Sequence, residues 1–346
     1  MVAGLGLLGL AGVSLLTGSV AIRPGEFWEL LLWRSGMRES APELSGGVRA
    51  DGAWAILWEL RLPRTVAAIL VGAALAGSGA VMQGLFRNPL ADPSLLGVSA
   101  GAAMGAVTVL LLGTIPWVAV FTGALGGAAL PVFAFTGAVV ATVVVYRIAW
   151  SEGRTVVAAM LLAGIAVNAL AMAYIGGAVF VAEYGRLREF HFWMLGSLAL
   201  SSWRSLGALL PFTVLPLLCL PLLARPLNLF LLGEAEVGHL GYNAQRVKRW
   251  TVFLAAAMAG GTVAFCGVIG FIGLVAPHMA RLLLGPDHRT LLPSALLLGA
   301  ILLLAADLIA RTLAAPAEVP VGILTALVGA PFFLFLLARG KSRLFG

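Results

Sequence analysis

Charge is scarce in this chain of 346 residues: 11% of them are Asp, Glu, Lys or Arg, while 61% are apolar. An ordinary soluble domain carries about 25% charged residues and roughly half apolar ones. At a mean hydropathy of +1.02, no water-soluble fold could hide this much hydrocarbon. A soluble enzyme, a nucleic-acid-binding module and a disordered scaffold are thereby excluded. Cysteine is scarce as well. Cys219 and Cys266 both fall inside apolar runs, where a thiol behaves as a small hydrophobe, so no disulfide framework is implied. The histidines His191, His239, His278 and His288 are scattered, without the spacing of a fixed metal site. No Ser/His/Asp or paired-carboxylate arrangement offers a nucleophile with its base, and the chain does not read as an enzyme.

What the sequence has is hydrophobic length. A span takes about 20 apolar residues, so roughly ten spans would use about 200 of them. Apolar stretches fall near 2–22, 62–86, 94–113, 116–147, 155–182, 198–224, 248–268, 270–284, 292–313 and 320–338. The runs are continuous, not alternating, which excludes a lipid-facing barrel. Backbone polar groups must then be satisfied within helices, and the expectation is an all-α polytopic membrane protein, one domain over 1–346. Residues 2–22 lack the basic start of a cleaved signal peptide and read as a first span that stays.

Glycine is plentiful, at 43 residues, and between membrane helices it permits close backbone approach. Gly72-Ala73-Ala74-Leu75-Ala76-Gly77-Ser78-Gly79 is such a small-residue face, and Ala73–Gly77 is faintly echoed at Ala256–Gly260, with Gly84 matching Gly267. Echoes of this kind are left by duplicated transporter halves.

The net charge of +7 reflects arginines anchoring span ends in the headgroup region, not a nucleic-acid footprint. The tail Arg339, Lys341 and Arg343, and the loop with Arg225, Arg246, Lys248 and Arg249, argue for cytoplasmic placement. The stretch after the first span conflicts: Arg23, Arg34, Arg38, Arg49, Arg61 and Arg64 are interleaved there with Glu26, Glu29, Glu39, Glu43, Asp51 and Glu59. Two nucleotide signatures fail. Gly4-Leu5-Gly6-Leu7-Leu8-Gly9 follows no strand and sits in a span. Gly340-Lys341-Ser342 has Phe335 where a P-loop needs its first glycine.

Two polar stretches interrupt the spans. In Phe86-Arg87-Asn88-Pro89-Leu90-Ala91-Asp92-Pro93-Ser94-Leu95-Leu96-Gly97, two prolines break the helix and Asp92 or Ser94 can cap the next. Residues 225–241 form a charged, amphipathic stretch on the basic side, the form of short helices lying at a membrane surface.

These residues closely resemble the FecCD/vitamin B12-type permeases, the membrane subunits of type II ABC importers. The resemblance rests on Leu60-Arg61-Leu62-Pro63-Arg64, on Gly79-Ala80-Val81-Met82-Gln83 with 86–97, and on Leu162-Ala163-Gly164. It continues in Gly270-Phe271-Ile272-Gly273-Leu274-Val275-Ala276-Pro277-His278, Asp287-His288-Arg289, Leu291-Leu292-Pro293, Ala306-Asp307 with Arg311, and Pro320-Val321-Gly322. It implies about ten spans in a homodimer with the pore on its axis, and two cytoplasmic ATPase subunits that hold the ATP and Mg. This chain itself would bind no cofactor and no metal. A periplasmic binding protein would deliver the substrate. Both termini would be cytoplasmic at a bacterial inner membrane, leaving 23–57 as a periplasmic loop.

The same resemblance makes 225–243 the coupling helices, with Leu232, Gly233, Glu234, Ala235, Glu236, Leu240 and Gly241 meeting the ATPase. Asn88 and Leu90, with Val156 and Val157 of the 152–158 turn, match a cytoplasmic gate, although Val156, Val157 and Ala158 replace the usual hydroxyl residues. Arg61, Arg64 and Arg311 would dock the binding protein. Met82 and Asn168 are pathway candidates. The implied substrates are heme, ferric siderophores and cobalamin, and residues 187–198 look most like the heme-uptake members. A secondary transporter or channel is the competing reading. It should carry ionisable groups within its spans, where Asp307 is the main exception, with Arg311 at the spacing of a local ion pair.

Overall fold

The computed structural model describes residues 2–344 apart from 19, 45–46 and 316, with side chains from 3 to 335. The basic tail Arg339, Lys341 and Arg343 therefore lies outside the described side chains. The helices are α1 (Val2–Leu16), α2 (Pro24–Arg34), α3 (Ala50–Phe86), α4 (Val98–Leu110), α5 (Pro116–Leu125), α6 (Ala129–Ile148), α7 (Val157–Val181), α8 (Tyr184–Met194), α9 (Trp203–Leu232), α10 (Glu234–His239), α11 (Ala244–Cys266), α12 (Ile272–Leu284), α13 (His288–Leu313) and α14 (Val321–Leu344). A two-residue hairpin, β1 (Trp150–Ser151) paired antiparallel with β2 (Arg154–Thr155), joins α6 to α7.

Six segments are long and apolar enough to cross a membrane: α3, α5 with α6, α7, α9, α11 and α13. The shorter apolar stretches Ala3–Leu16, Val98–Leu110, Ile272–Leu284 and Val321–Phe335 fill the other expected positions. The chain is thus all-α with about ten apolar spans. Two of the long helices are interior pillars. The apolar window of α3 is 78% buried and that of α11 is 72% buried, against 28% for α7. These pillars carry the echoed Ala/Gly segments, and each is followed by a 13-residue apolar helix, α4 or α12. A backbone reversal through a left-handed residue, Arg87 after α3 and Phe271 before α12, makes the connection.

Glycine sets the closest crossings. A Cβ on Gly72 of α3 would overlap the carbonyl of Gly299 on α13, and a Cβ on Gly299 would overlap the carbonyl of Gly72. Gly101 of α4 and Gly137 of α6 stand in the same reciprocal relation. Helix α9 keeps Pro211, Pro216, Pro221 and Pro226 within one continuous helix, as membrane helices tolerate when neighbours re-satisfy the freed carbonyls.

The expected 23–57 loop is not a plain loop. Pro24 opens α2 and Glu26 caps it by accepting the Arg23 backbone N–H at 2.8 Å. Leu30, Ala50, Ala53 and Leu57 then form a small core with Ile22, Phe27 and Trp33. Helix α3 starts at Ala50 and passes through a π-helical stretch, Ile56–Arg61, before its regular part. The helix therefore begins about a dozen residues before the expected start near 62, through the α-helical Ala50–Ala55 and the π-helical stretch.

Candidate functional site

Helix α13 spans 26 residues, about 39 Å at 1.5 Å per residue, and a polar cluster marks each of its ends. At its start lie the end of α9, α10, the hairpin and the start of α11. At its finish lie the end of α1, the first part of α3 and residues 317–320. Helix α1 finishes at this second cluster, and the chain leading into α14 is tied to it by Val319 N–H donating to the Ala310 carbonyl at 3.1 Å. Both chain ends therefore lead toward the first cluster.

The first cluster is built around the expected coupling segment. Asn243 opens α11 by accepting the Arg246 N–H at 2.9 Å, and Asp287 opens α13 by accepting the Arg289 N–H at 2.9 Å. Asn228, in the last turns of α9, donates to Asp287 Oδ1 at 2.6 Å and accepts from the His288 N–H at 2.8 Å. These bonds to Arg289 and Asn228 hold the exposed Asp287 carboxyl below its ordinary pKa. A second latch lies across the segment. Lys248, only 1% exposed, donates to Glu234 Oε1 at 2.5 Å and to the Thr155 carbonyl at 2.7 Å. Gln245 donates to the same Glu234 oxygen at 3.1 Å and accepts the Thr155 N–H at 2.8 Å. One buried ammonium thus joins α10 to the hairpin immediately before Val156.

This changes the expected role of Glu234. Of the coupling residues, Glu234 is tied inward, while Leu232 and Leu240 are 70% and 55% exposed and Glu236 is also exposed. Gly233 and Gly241 take positive φ and turn the chain into and out of α10, Ala235 is exposed, and Val237 packs beneath. The exposed surface is leucine-rich, with Glu236 outward and Glu234 half-exposed while bonded to Lys248. Lys248 was legible only as one more basic residue of a loop. The signal for its role was its register, since Val247, Lys248, Thr251, Val252 and Ala255 form the buried stripe of α11.

The gate candidates occupy the same end. Asn88 accepts the Leu90 N–H at 2.9 Å, and Leu90 and Val156 are about 40% exposed. Val156 precedes α7, and Val157 is its first residue. The tie between the two pieces lies further along α7, where Gly164 lets its backbone approach the Leu95 carbonyl and Asn168 Nδ2 donates to the Ser94 carbonyl at 3.4 Å. Asn168 is therefore a helix–loop brace. Met82 is fully buried inside the chain, on the interior pillar α3. Helix α7 is the least buried of the long spans and exposes Leu162, Ile165, Leu170 and Met172, while α6 and α9 also expose apolar faces.

The second cluster is a closed ionic knot. Arg64 donates to Asp307 Oδ1 through Nε at 3.0 Å and Nη2 at 2.9 Å, and through Nη1 to both oxygens of Glu318 at 2.9 and 2.8 Å. Arg311 donates to the Ser14 carbonyl and hydroxyl at 2.6 and 2.7 Å. Arg61 donates to the carbonyls of Leu15 and Leu16 at 2.7 and 3.0 Å, and to that of Val20. All three arginines are under 10% exposed. None presents a free fork for a docking partner, so the expectation of Arg61, Arg64 and Arg311 as a docking surface is corrected. The expected Asp307–Arg311 pair is also secondary, at 4.0 Å. Asp307 faces α3, where Arg64 reaches it bidentately.

Among the described residues no cluster of His, Cys, Asp or Glu could hold a metal ion. His191 is exposed on α8, its Nδ1 within 2.7 Å of the Leu187 carbonyl.

Similarity to known proteins follows the same architecture. A family profile described as the FecCD transport family matches residues 6–339. The chain is 45% identical over 300 residues to the hemin transport system permease protein HmuU of Yersinia pestis, covering 85% of this chain and 86% of that protein. It is 43% identical over 297 residues to the cobalamin import system permease protein BtuC of Halobacterium salinarum, covering 85% and 76%. A solved structure described as an inward-facing conformation of a metal-chelate type ABC transporter superposes with a TM-score of 0.81 at 30% identity, over 97% of each chain.

Proposed function

This chain belongs to the FecCD transport family, and on that premise we propose that it is the membrane-spanning subunit of an ATP-driven importer that carries heme into the cytoplasm. The observation that carries the coupling half of this reading is the latched surface segment 225–243. It presents Leu232, Glu236 and Leu240 outward while Asn228 and Glu234 tie it to α13, α11 and the hairpin. A segment so fixed can receive a push from a partner and pass it to the start of α7 without dissipating it. The partner is a separate ATPase, which holds ATP and Mg, and the coupling end faces the cytoplasm with both chain ends. The opposite end faces the binding protein.

A homodimer follows from the family reading, and α7, the least buried of the long spans, offers an apolar face for a second copy. Heme is favoured over cobalamin and ferric siderophores by residues 187–198 and by the hemin permease among the relatives. The competing ion-coupled transporter is disfavoured because Asp307 is already occupied by Arg64. The test is transport in vesicles holding the complex purified from native membranes with its own ATPase and binding protein. Heme should accumulate only with internal ATP hydrolysis. Accumulation of cobalamin or a siderophore but not heme would overturn the substrate, and uptake driven by an ion gradient without ATP would overturn the class.

A further inference from the structure

Between α6, α9 and α11 the outer wall opens into a groove of about 960 Å³. Phe135, Val139, Leu215 and Phe253 line its length, and Arg147, Trp150, Arg249 and Trp250 stand at one end. That end is fixed by the chain. Arg147 lies in the last turn of α6 and Arg249 in the second turn of α11, so the basic mouth is at the coupling end. Both arginines are exposed. Lys248 next door is consumed by Glu234 and Thr155. Among the described residues neither Arg147 nor Arg249 has an ion-pair or hydrogen-bond partner.

We infer that this groove is a binding site for an anionic phospholipid, its acyl chains along α6, α9 and α11 and its phosphate between Arg147 and Arg249. Each half of the site asks for a different half of one molecule. A groove this apolar in a chain surrounded by lipid fills with hydrocarbon, and two unpaired guanidinium forks fit phosphate oxygens bidentately. Trp150 and Trp250 flank them, and tryptophan settles where headgroups meet acyl chains. Basic pockets between membrane helices on the cytoplasmic side take acidic headgroups. A free anion would leave the apolar length without a purpose. A second copy of the chain would bring like patches together across a two-fold axis and bury four arginines against one another, which is costly. The inference uses the family reading only to say which leaflet the mouth faces, and it stands apart from the identity of the transported substrate.

The test measures immobilised spin-labelled lipid on the purified complex, comparing phosphatidylglycerol with phosphatidylcholine. At about fivefold per basic residue facing an anionic lipid, the two arginines should give roughly 25-fold preference for phosphatidylglycerol. Arg147→Gln with Arg249→Gln should abolish it. Ala257→Trp, which fills the groove without changing charge, should also remove it, while Arg246→Gln, outside the groove, should leave it. ATP-driven transport by the unaltered complex is measured separately, so failure of the transport reading would be seen on its own. Equal binding of the two lipids by the unaltered complex would overturn the site. So would a preference surviving the double arginine variant or the filled groove, because surface charge alone would then explain it.

Discussion

The two ends of α13 use charge in opposite ways. In the ionic knot, Arg61, Arg64, Arg311 and Asp307 are all buried and spent on partners within the chain. At the coupling end the polar groups are shared: Lys248 is buried, Glu234 is half in water, and Arg147, Arg246, Arg249 and Glu236 face outward. A buried ion pair with excellent geometry resists being taken apart, because each member would be left without water. A half-exposed pair can be remade by solvent and is cheaper to move. The knot therefore reads as a fixed clamp holding α1, α3, α13 and residues 317–320 together. The coupling end reads as the part that transmits motion.

The largest effect should come from breaking the clamp. Asp307→Asn leaves the Arg64 guanidinium buried with only Glu318 as a charged partner, at an expected cost of about 3–5 kcal/mol. Thermal unfolding of the purified chain should register it, with any surviving protein keeping its ratio of substrate moved to ATP hydrolysed. Glu318→Gln, at a carboxylate 41% exposed, should cost under ~1 kcal/mol. Equal losses in the two variants would erase the distinction between a buried and an open partner.

How much of this was legible in the sequence follows from the range of the interactions. The apolar helices were, because hydrophobic length is a local signal. The short surface helix at 234–239 was too, since its charge and its Gly233 and Gly241 boundaries are contiguous. The knot was not, because Arg64 and Asp307 are 243 residues apart and nothing in either neighbourhood names the other. The i, i+4 rule pointed to Arg311, and that pair is present at 4.0 Å, but the closer partner is Arg64 across the helix pair, which the spacing could not name. The burial of Met82, 0% exposed on a pillar whose apolar window is 78% buried, was not legible for a related reason, since the helices that cover it come from distant parts of the chain.

The next effect probes transmission. Lys248→Met keeps the apolar stem within the buried stripe of α11 but removes the bonds to Glu234 and Thr155. A hydrogen bond to a charged group contributes about 1.5–3 kcal/mol, so the latched arrangement should lose roughly tenfold or more in population. Substrate transported per ATP should drop by a similar factor while ATPase association, measured by co-purification, persists. Lys248→Arg should restore part of the coupling. If association is lost and coupling in the remaining complex is normal, α10 acts only as a binding surface, and the contrast between clamp and transmitter fails.

The smallest effect concerns Asp287, which caps α13 at the coupling end. Its folded pKa is lowered, first by the Arg289 N–H and then by the Asn228 amide. A lowered carboxylate contributes stability above its unfolded pKa, about 4, and loses it as pH falls through the folded value. The contribution is thus complete at neutral pH and disappears only on strong acidification. Asp287→Asn keeps an oxygen that can cap the helix and accept from Asn228, but it cannot titrate. Its thermal midpoint at pH 7 should stay within about a degree or two of the unaltered chain, as surface changes usually do. The two should converge only on strong acidification, once the pH has fallen through the lowered folded pKa and the cap is neutral in both. A difference that instead grows on acidification would mean that Asp287 is not held ionised by Arg289 and Asn228. The coupling end would then owe its order to Lys248 alone.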